Sequence, residues 1–311
     1  MTTVAALFPG QGSQFLGMAD PWAADPAGRA VLDEASAVMD EDVVAGCSDE
    51  GALATTEFVQ PALLACDVAA FRVLEATGVN VGAAAGHSLG EFAALVAAGV
   101  LDLSSALRVV LARGRAMQEA SDAQPGTMMA LIGAGADDAA AIRDAARGDD
   151  VLAVANENAS NQTVLSGSPV AIERGEAEAK ARGVRAIRLK VAGAFHSELM
   201  RPAVAPIADA LAAATFSTAR FPVAANTTGE LTTDGDAFRD LLTRHVVSPV
   251  RWERCMRAFA EAGFDTFVEA GPGQVLAKIV KRELPGVRAV ALGSPDDVRA
   301  FAASLGGGAR T

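Results

Sequence analysis

A serine placed to act as a nucleophile sits in Gly86-His87-Ser88-Leu89-Gly90. The apolar run Val79, Val81, Ala83, Ala84 and Ala85 precedes it, and Phe92 to Ala98 supply an apolar helix after it. Side chains at Gly86 and Gly90 would not fit a strand-to-helix turn this sharp, and the turn thrusts the Ser88 hydroxyl out at a helix N-terminus. Unpaired backbone N–H groups there, together with the helix dipole, suit an oxyanion formed when Ser88 attacks a carbonyl.

A serine hydroxyl needs a base to take its proton. The chain has three histidines. His87 adjoins Ser88 on the turn and is expected to point away from it, in a structural role. His245 lies at the end of an apparent helix (Leu241, Leu242, Arg244, His245) and reads as a capping residue. His196, in Gly193-Ala194-Phe195-His196-Ser197, falls in a loop leaving a small domain, where a cleft between domains is expected. His196 is the preferred base, with a loop histidine held by backbone contacts as the plain alternative.

Arg113 is unusual for its company. With Val109 and Met117 it shares one helical face at i, i+4 and i+8. A guanidinium on an apolar face needs a partner, because an unpaired buried charge costs several kcal/mol. It is an internal ion pair, a snorkelling arginine at a helix edge, or a bidentate receptor for a substrate carboxylate. The loop Pro9-Gly10-Gln11-Gly12-Ser13-Gln14 is an ordinary turn or the source of a second oxyanion donor, the Gln11 N–H, beside the Leu89 N–H. Asn156, Asn158 and Gln162 cluster at a strand–turn–strand corner, where they cap the turn or touch ligand.

These groups need elements to hold them. Val4 to Phe8 reads as a buried strand, residues 58–77 as a helix stopped by Gly78, and 104–120 as another helix. From about 125 the order becomes strand (127–132), helix (137–146), strands (151–156 and 162–166), helix (169–181) and strand (184–191). This βαββαβ order predicts an inserted ferredoxin-like α+β subdomain. The fold expected is α/β, a hydrolase-like core with a parallel sheet, residues 1–123 and 192–311 making the large domain and 124–191 the small one. Further strands are expected at 221–225 and 264–269, and a frayed tail at 306–311.

With 311 residues, 51% of them hydrophobic, the chain can bury a large core. No uninterrupted apolar stretch reaches the ~18 residues of a membrane span. Met1-Thr2-Thr3-Val4 shows no charged leader, and Cys47, Cys66 and Cys255 are scattered, outside any metal spacing. A soluble cytoplasmic protein is expected, its cysteines acting as small buried hydrophobes. A net charge of −12 argues against general nucleic-acid binding. Nucleotide fingerprints and metal clusters are missing from the sequence, so catalysis is expected to be cofactor-free and metal-free.

Taken together, the chain resembles the malonyl-CoA:acyl carrier protein transacylases of fatty acid and polyketide synthesis. The resemblance runs nearly end to end. It rests on Phe8-Pro9-Gly10-Gln11-Gly12-Ser13-Gln14, Gly86-His87-Ser88-Leu89-Gly90-Glu91, Arg113-Gly114-Arg115-Ala116-Met117, Phe195-His196-Ser197 and Glu269-Ala270-Gly271-Pro272-Gly273. It implies Ser88 as nucleophile, His196 as base and then acid, the Gln11 and Leu89 amides as oxyanion hole, and Arg113 as carboxylate clamp. Met117, Phe195, Asn156 and Asn158 would line the substrate pocket. A main-chain carbonyl near Ser248-Pro249-Val250-Arg251 would orient the histidine. The substrates implied are malonyl-CoA and a phosphopantetheinylated acyl carrier protein, with methylmalonyl-CoA disfavoured by Phe195.

Carrier proteins are typically acidic, as is this chain, so docking calls for a local basic patch. Lys180, Arg182, Arg185, Arg188 and Lys190 form one near His196, and Lys278, Lys281 and Arg282 a second; either can equally be a solvated charged surface. A monomer is expected. The rival enzymatic reading is a serine thioesterase or esterase using His245 with Asp234 or Asp236. A non-catalytic carrier-binding scaffold is a third.

Overall fold

The structure, a computed structural model, describes residues 3–306, so the expected frayed tail falls largely outside the described residues; Gly306 itself closes the last helix. In chain order the elements are β1 (Val4–Phe8), α1 (Asp20–Ala23), α2 (Pro26–Met39), α3 (Val43–Gly46), α4 (Glu50–Leu53), α5 (Thr56–Ala76), β2 (Val81–Gly86), α6 (Gly90–Ala97) and α7 (Leu103–Ala123). Next come β3 (Thr127–Ile132), α8 (Ala136–Ala146), β4 (Leu152–Ala159), β5 (Gln162–Gly167), α9 (Pro169–Ala181) and β6 (Arg185–Arg188). A 3-10 helix (Glu198–Ala203) leads into α10 (Val204–Ala213), β7 (Val223–Ala224), β8 (Leu231–Thr232) and α11 (Gly235–Thr243). A second 3-10 helix (His245–Val247) precedes α12 (Trp252–Glu261), β9 (Thr266–Ala270), α13 (Val275–Glu283), β10 (Arg288–Leu292) and α14 (Pro295–Gly306).

The described residues form a six-stranded sheet in the order β10-β9-β1-β2-β7-β8, parallel except for the β7–β8 pair. β1 is fully buried, as a parallel strand covered by helices on both faces must be, and its run Val-Ala-Ala-Leu-Phe supplies apolar groups to each side. Its neighbour β2 is nearly all glycine and alanine, which lets α6 pack closely over it. β1 and β2 lie side by side with Phe8 opposite Gly86. The loop carrying Gln11 and the turn carrying Ser88 therefore leave the same edge of the sheet, beyond the carboxyl ends of adjacent strands.

The second sheet is antiparallel, in the order β4-β5-β3-β6. Alternation decides what each face does. Met129 and Leu131 of β3 join Ile142 of α8 and Ile172 of α9 in a core of their own. Met128 and Ala130, pointing the other way, join the main core. One face of the small sheet thus becomes a wall of the large unit. The last strand is shorter than the expected 184–191: β6 ends at Arg188, because only Arg185 to Arg188 pair with β3. Leu189 and Val191 turn inward instead, toward the cavity described below.

Candidate active site

Steric crowding builds the turn at Ser88. A side chain on Gly86 would collide with the Gly90 backbone, and one on Gly90 with the carbonyls of Phe8 and Pro9. Ser88 takes a left-handed conformation, φ 51°, which costs a non-glycine residue about 1–3 kcal/mol unless its surroundings enforce it. The His87 N–H donates to Phe8 O at 2.9 Å, and the Ser88 N–H to the side-chain oxygen of Asn226 at 2.7 Å. The loop after β1 lies on the same turn: a side chain at Gly10 would strike the His87 carbonyl and come within 3.6 Å of the Leu89 nitrogen. Among the described residues, neither the Leu89 nor the Gln11 amide donates to a protein acceptor.

His196, also left-handed at φ 59°, brings Nε2 to 2.8 Å from the Ser88 hydroxyl. Its Nδ1 faces two carbonyl oxygens, His245 O at 3.1 Å and Ser248 O at 3.0 Å. A carbonyl only accepts, so Nδ1 carries the proton and Nε2 offers its lone pair to the serine O–H. Burial, followed by the Arg113 charge, lowers His196 to about 3, while the bonds to the two carbonyls oppose the shift. The imidazole is a neutral base. The expected region around Ser248 does hold the histidine, and the His245 carbonyl shares the task.

Arg113 is 1% exposed and reaches Ser88 from α7, on the face it shares with Val109 and Met117. One terminal nitrogen donates to Gln60 Oε1 at 2.6 Å and the other to the Ser88 hydroxyl at 3.2 Å. Its Nε is buried without a partner, and among the described residues it makes no ion pair. Burial lowers it to about 10, opposed by the nearby Glu91 carboxyl once that group ionises, so it stays cationic at neutral pH. Gln60 Nε2 donates in turn to Gln11 Oε1 at 3.2 Å, tying the clamp to the oxyanion loop.

A cavity of about 100 Å³ opens between these groups, lined by Gln11, Gln60, His87, Ser88, Arg113, Met117, Met128, Asn156, Leu189, Val191, Phe195 and His196. It is small beside the ~300–1,000 Å³ of a drug-sized site. Its size suits a short acyl chain. Asn158 is not part of this lining; its side-chain oxygen takes His87 Nε2 at 2.8 Å. His87 borders the cavity while its ring packs on Trp252, at 5.6 Å between centroids. Of the expected docking residues, Arg182 pairs with Glu178 and Arg188 with Glu176. Lys180, Arg185 and Lys190 are exposed and make no ion pair among the described residues.

The expectation that His245 caps a helix is corrected. It sits at the start of a 3-10 helix with its ring nitrogens lacking hydrogen-bond partners, and Nε2 is 3.5 Å from Glu91 Oε2. Burial lowers His245 well below the usual imidazole range and raises Glu91 to about 8, so both are neutral and the contact is not an ion pair. Asp234 is instead the N-cap of α11, and Asp236 pairs with Arg239 on the surface. The thioesterase arrangement has no geometry here. Gln60, Glu91 and Asn226 were missed from sequence. Gln60 left one trace, a glutamine in the otherwise apolar stretch from Phe58 to Cys66; Asn226 left another, a polar residue just past a short apolar strand.

A serine on a strained strand-to-helix turn, a neutral imidazole on its hydroxyl and two free amides beside it define a serine enzyme of acyl transfer. The chain belongs to the acyl transferase domain family, which matches residues 6–301. It is 42% identical over 315 residues to the malonyl CoA-acyl carrier protein transacylase of Escherichia coli K12, covering 98% of this chain and 99% of the relative. The Bacillus subtilis (strain 168) protein of the same name is 35% identical, with 96% of each covered. The solved Coxiella burnetii malonyl CoA-acyl carrier protein transacylase superposes with a TM-score of 0.94 at 35% identity over 98% of each chain. A malonyl-transacylase solved in complex with its type II polyketide acyl carrier protein gives a TM-score of 0.93 at 35% identity, covering 97% of this chain and 100% of that one.

Proposed function

We propose that this chain transfers the malonyl group of malonyl-CoA to the phosphopantetheine thiol of an acyl carrier protein, through a malonyl ester on Ser88. The observation that carries the reading is Arg113: a buried cation without an ion pair, 3.2 Å from the nucleophile, in a cavity sized for a short acyl chain. A carboxylate at the far end of that chain supplies what the guanidinium lacks.

The Ser88 oxygen attacks the thioester carbonyl while its proton passes to His196 Nε2. The carbonyl oxygen, now anionic, takes the Gln11 and Leu89 N–H groups. Collapse breaks the carbon–sulfur bond, the imidazolium returns the proton to the departing coenzyme A sulfur, and the ester remains. The carrier thiol then gives its proton to His196, attacks the ester and releases Ser88, so the two halves are ping-pong. Every step is proton or acyl transfer by side chains and amides, with no cofactor in the balance. Met117 and Phe195 wall the acyl chain, Asn156 lines the same cavity, and Asn158 acts through His87.

The same reading divides the chain at 1–123 with 192–311 and 124–191, a division supported by the separate core of the small sheet. Lys180, Arg185 and Lys190, with Arg182 and Arg188 beside them, are the proposed docking patch. The enzyme is read as a cytoplasmic monomer, because a ping-pong site built between two parts of one chain requires no second subunit. A transfer assay tests the whole: wild type with malonyl-CoA and phosphopantetheinylated carrier protein should yield malonyl-carrier, and Ser88→Ala should yield none. Hydrolysis to free malonate without transfer would contradict it.

A further inference from the structure

Building on the acyl-transfer reading, we infer that Asn226 is a positioning residue for the reaction: its side-chain amide holds Ser88 in the left-handed conformation that presents the hydroxyl. Asn226 is wholly buried. Its Oδ1 accepts the Ser88 N–H at 2.7 Å and its Nδ2 donates to the Gly86 carbonyl at 2.7 Å. One side chain therefore spans the turn from the last residue of β2 to the nucleophile. The opposite amide orientation would set NH2 against N–H and oxygen against oxygen, so the network fixes which atom is which.

The clamp is reciprocal. The Asn226 N–H donates to Glu91 Oε1 at 3.1 Å, and its carbonyl accepts the Arg251 N–H at 2.8 Å. Glu91 belongs to α6, the helix that the Ser88 turn opens. The element upstream explains the placement: β7 runs parallel to β2 with Ala224 opposite Ala85, so the residue two beyond the pair lands beside the turn. With its N–H committed to Asn226, Ser88 cannot use that amide for an oxyanion. The next amide, that of Leu89, is the one left free.

Asn226 touches neither the cavity nor Arg113, so the effect of changing it falls on the chemical step and not on donor binding. Asn226→Ala should slow malonyl-serine formation at saturating malonyl-CoA by about 10²-fold, the scale of a misplacement near 1 Å, with half-saturation unchanged. Asn226→Asp carries the distinguishing signature. One carboxyl oxygen can still accept from Ser88, but the other faces the Gly86 carbonyl and must hold a proton to bond it. Its ionisable surroundings are Glu91 on α6, His245 beyond Glu91, and Arg251 with Cys255 at the start of α12; burial keeps His245 and Cys255 uncharged and holds Glu91, raised to about 8, mostly protonated up to neutral pH. Acylation by Asn226→Asp should therefore be slow near pH 7 and recover toward wild type near pH 5, where Glu91 and the wild-type base are both neutral.

The experiment is rapid-quench mass spectrometry of Ser88 acylation across pH, with labelling of Ser88 by a fluorophosphonate run in parallel. Recovery of Asn226→Asp at low pH in both readouts supports the inference. Wild-type rates in both variants, or an Asn226→Asp defect that does not change with pH, would overturn it. Wild type that reacts with the fluorophosphonate but not with malonyl-CoA would sink the malonyl reading alone, and the fluorophosphonate rates would still decide the clamp. If Asn226→Ala fails to fold, Asn226→Asp at the two pH values carries the test.

Discussion

Ser88 and His196 meet at 2.8 Å from two strained backbones: of the three non-glycine residues with positive φ among those described, these are two, at 51° and 59°. The third, Asp40, ends α2 as its C-cap. Strain thus concentrates on the pair that must be aimed at one another, and the surrounding crowding and hydrogen bonds enforce it.

The base should keep its lone pair across the whole neutral and mildly acidic range. His196 sits at about 3, so it is neutral well below the usual imidazole range. Malonyl loading should stay flat from about pH 8 down to about pH 5, with none of the fall near 6.5 that an ordinary histidine gives. His196→Ala should slow loading by about 10²–10⁴-fold at every pH in that window. A stopped-flow pH profile checks both, and a limb centred near 6.5 in wild type would speak against this environment.

Stability should show a related balance. His87, His196 and His245 are all lowered by burial, so the unfolded chain gains protons on them as pH falls through 6.5 and stability declines. Asp67, Glu91 and Glu269 are all raised by burial, so their contribution is full at low pH and is lost as pH rises from their ordinary values through the folded ones. Between about 4.5 and 6.5 Glu91 and His196 oppose one another, so unfolding free energy should vary least there and fall on both sides. Each uncompensated proton tilts it by ~1.4 kcal/mol per pH unit. Both Asp67 oxygens lack hydrogen-bond partners among the described residues, so Asp67→Asn should make the alkaline decline shallower. Urea melts across pH measure this; a maximum at pH 8 would contradict it.

Much of this site could be read from types and spacing, and the reasons differ by residue. Ser88 was legible because its turn needs glycines at fixed places. Arg113 was legible because a cation at i, i+4, i+8 with apolar residues conflicts with its own helix face. The four-strand, two-helix order from β3 to β6 showed in alternation and in turn residues, although β6 proved shorter because strand pairing, not apolar character, ends it. The roles of Asn226 and Glu91 come from the β2–β7 register and α6 packing, so the polar position after the short strand marks Asn226 in the sequence but not what it holds. β10 also went unread: its five residues, Arg-Ala-Val-Ala-Leu, are too few to stand out before the sheet edge is known.

Docking separates by charge pairing. Lys180, Arg185 and Lys190 carry no ion pair among the described residues, while Arg182 and Arg188 are held by Glu178 and Glu176. Reversal to Glu at the first three should raise the KM for carrier protein several-fold each and make its rise with salt shallower than in wild type. Loading from malonyl-CoA should not change. Loss of loading in these variants would refute a docking role.

Phe195 walls a cavity of only about 100 Å³. Methylmalonyl-CoA should load poorly on wild type, and Phe195→Ala should raise the methylmalonyl-to-malonyl ratio by roughly 10-fold, the scale of one added methyl group in an apolar pocket. Competition between the two donors, read by mass, checks it. Equal loading of both on wild type would show that this wall does not select.

The most direct test of the central claim is intact-mass measurement of the acyl-enzyme formed with malonyl-CoA or acetyl-CoA, on wild type, Ser88→Ala and Arg113→Ala. The account predicts a malonyl adduct on wild type, no adduct on Ser88→Ala, and a malonyl-over-acetyl preference that drops by about 10²–10³-fold in Arg113→Ala, as expected for a lost buried charge pair. An acetyl adduct equal to the malonyl adduct on wild type, or a preference unchanged by Arg113→Ala, would contradict it.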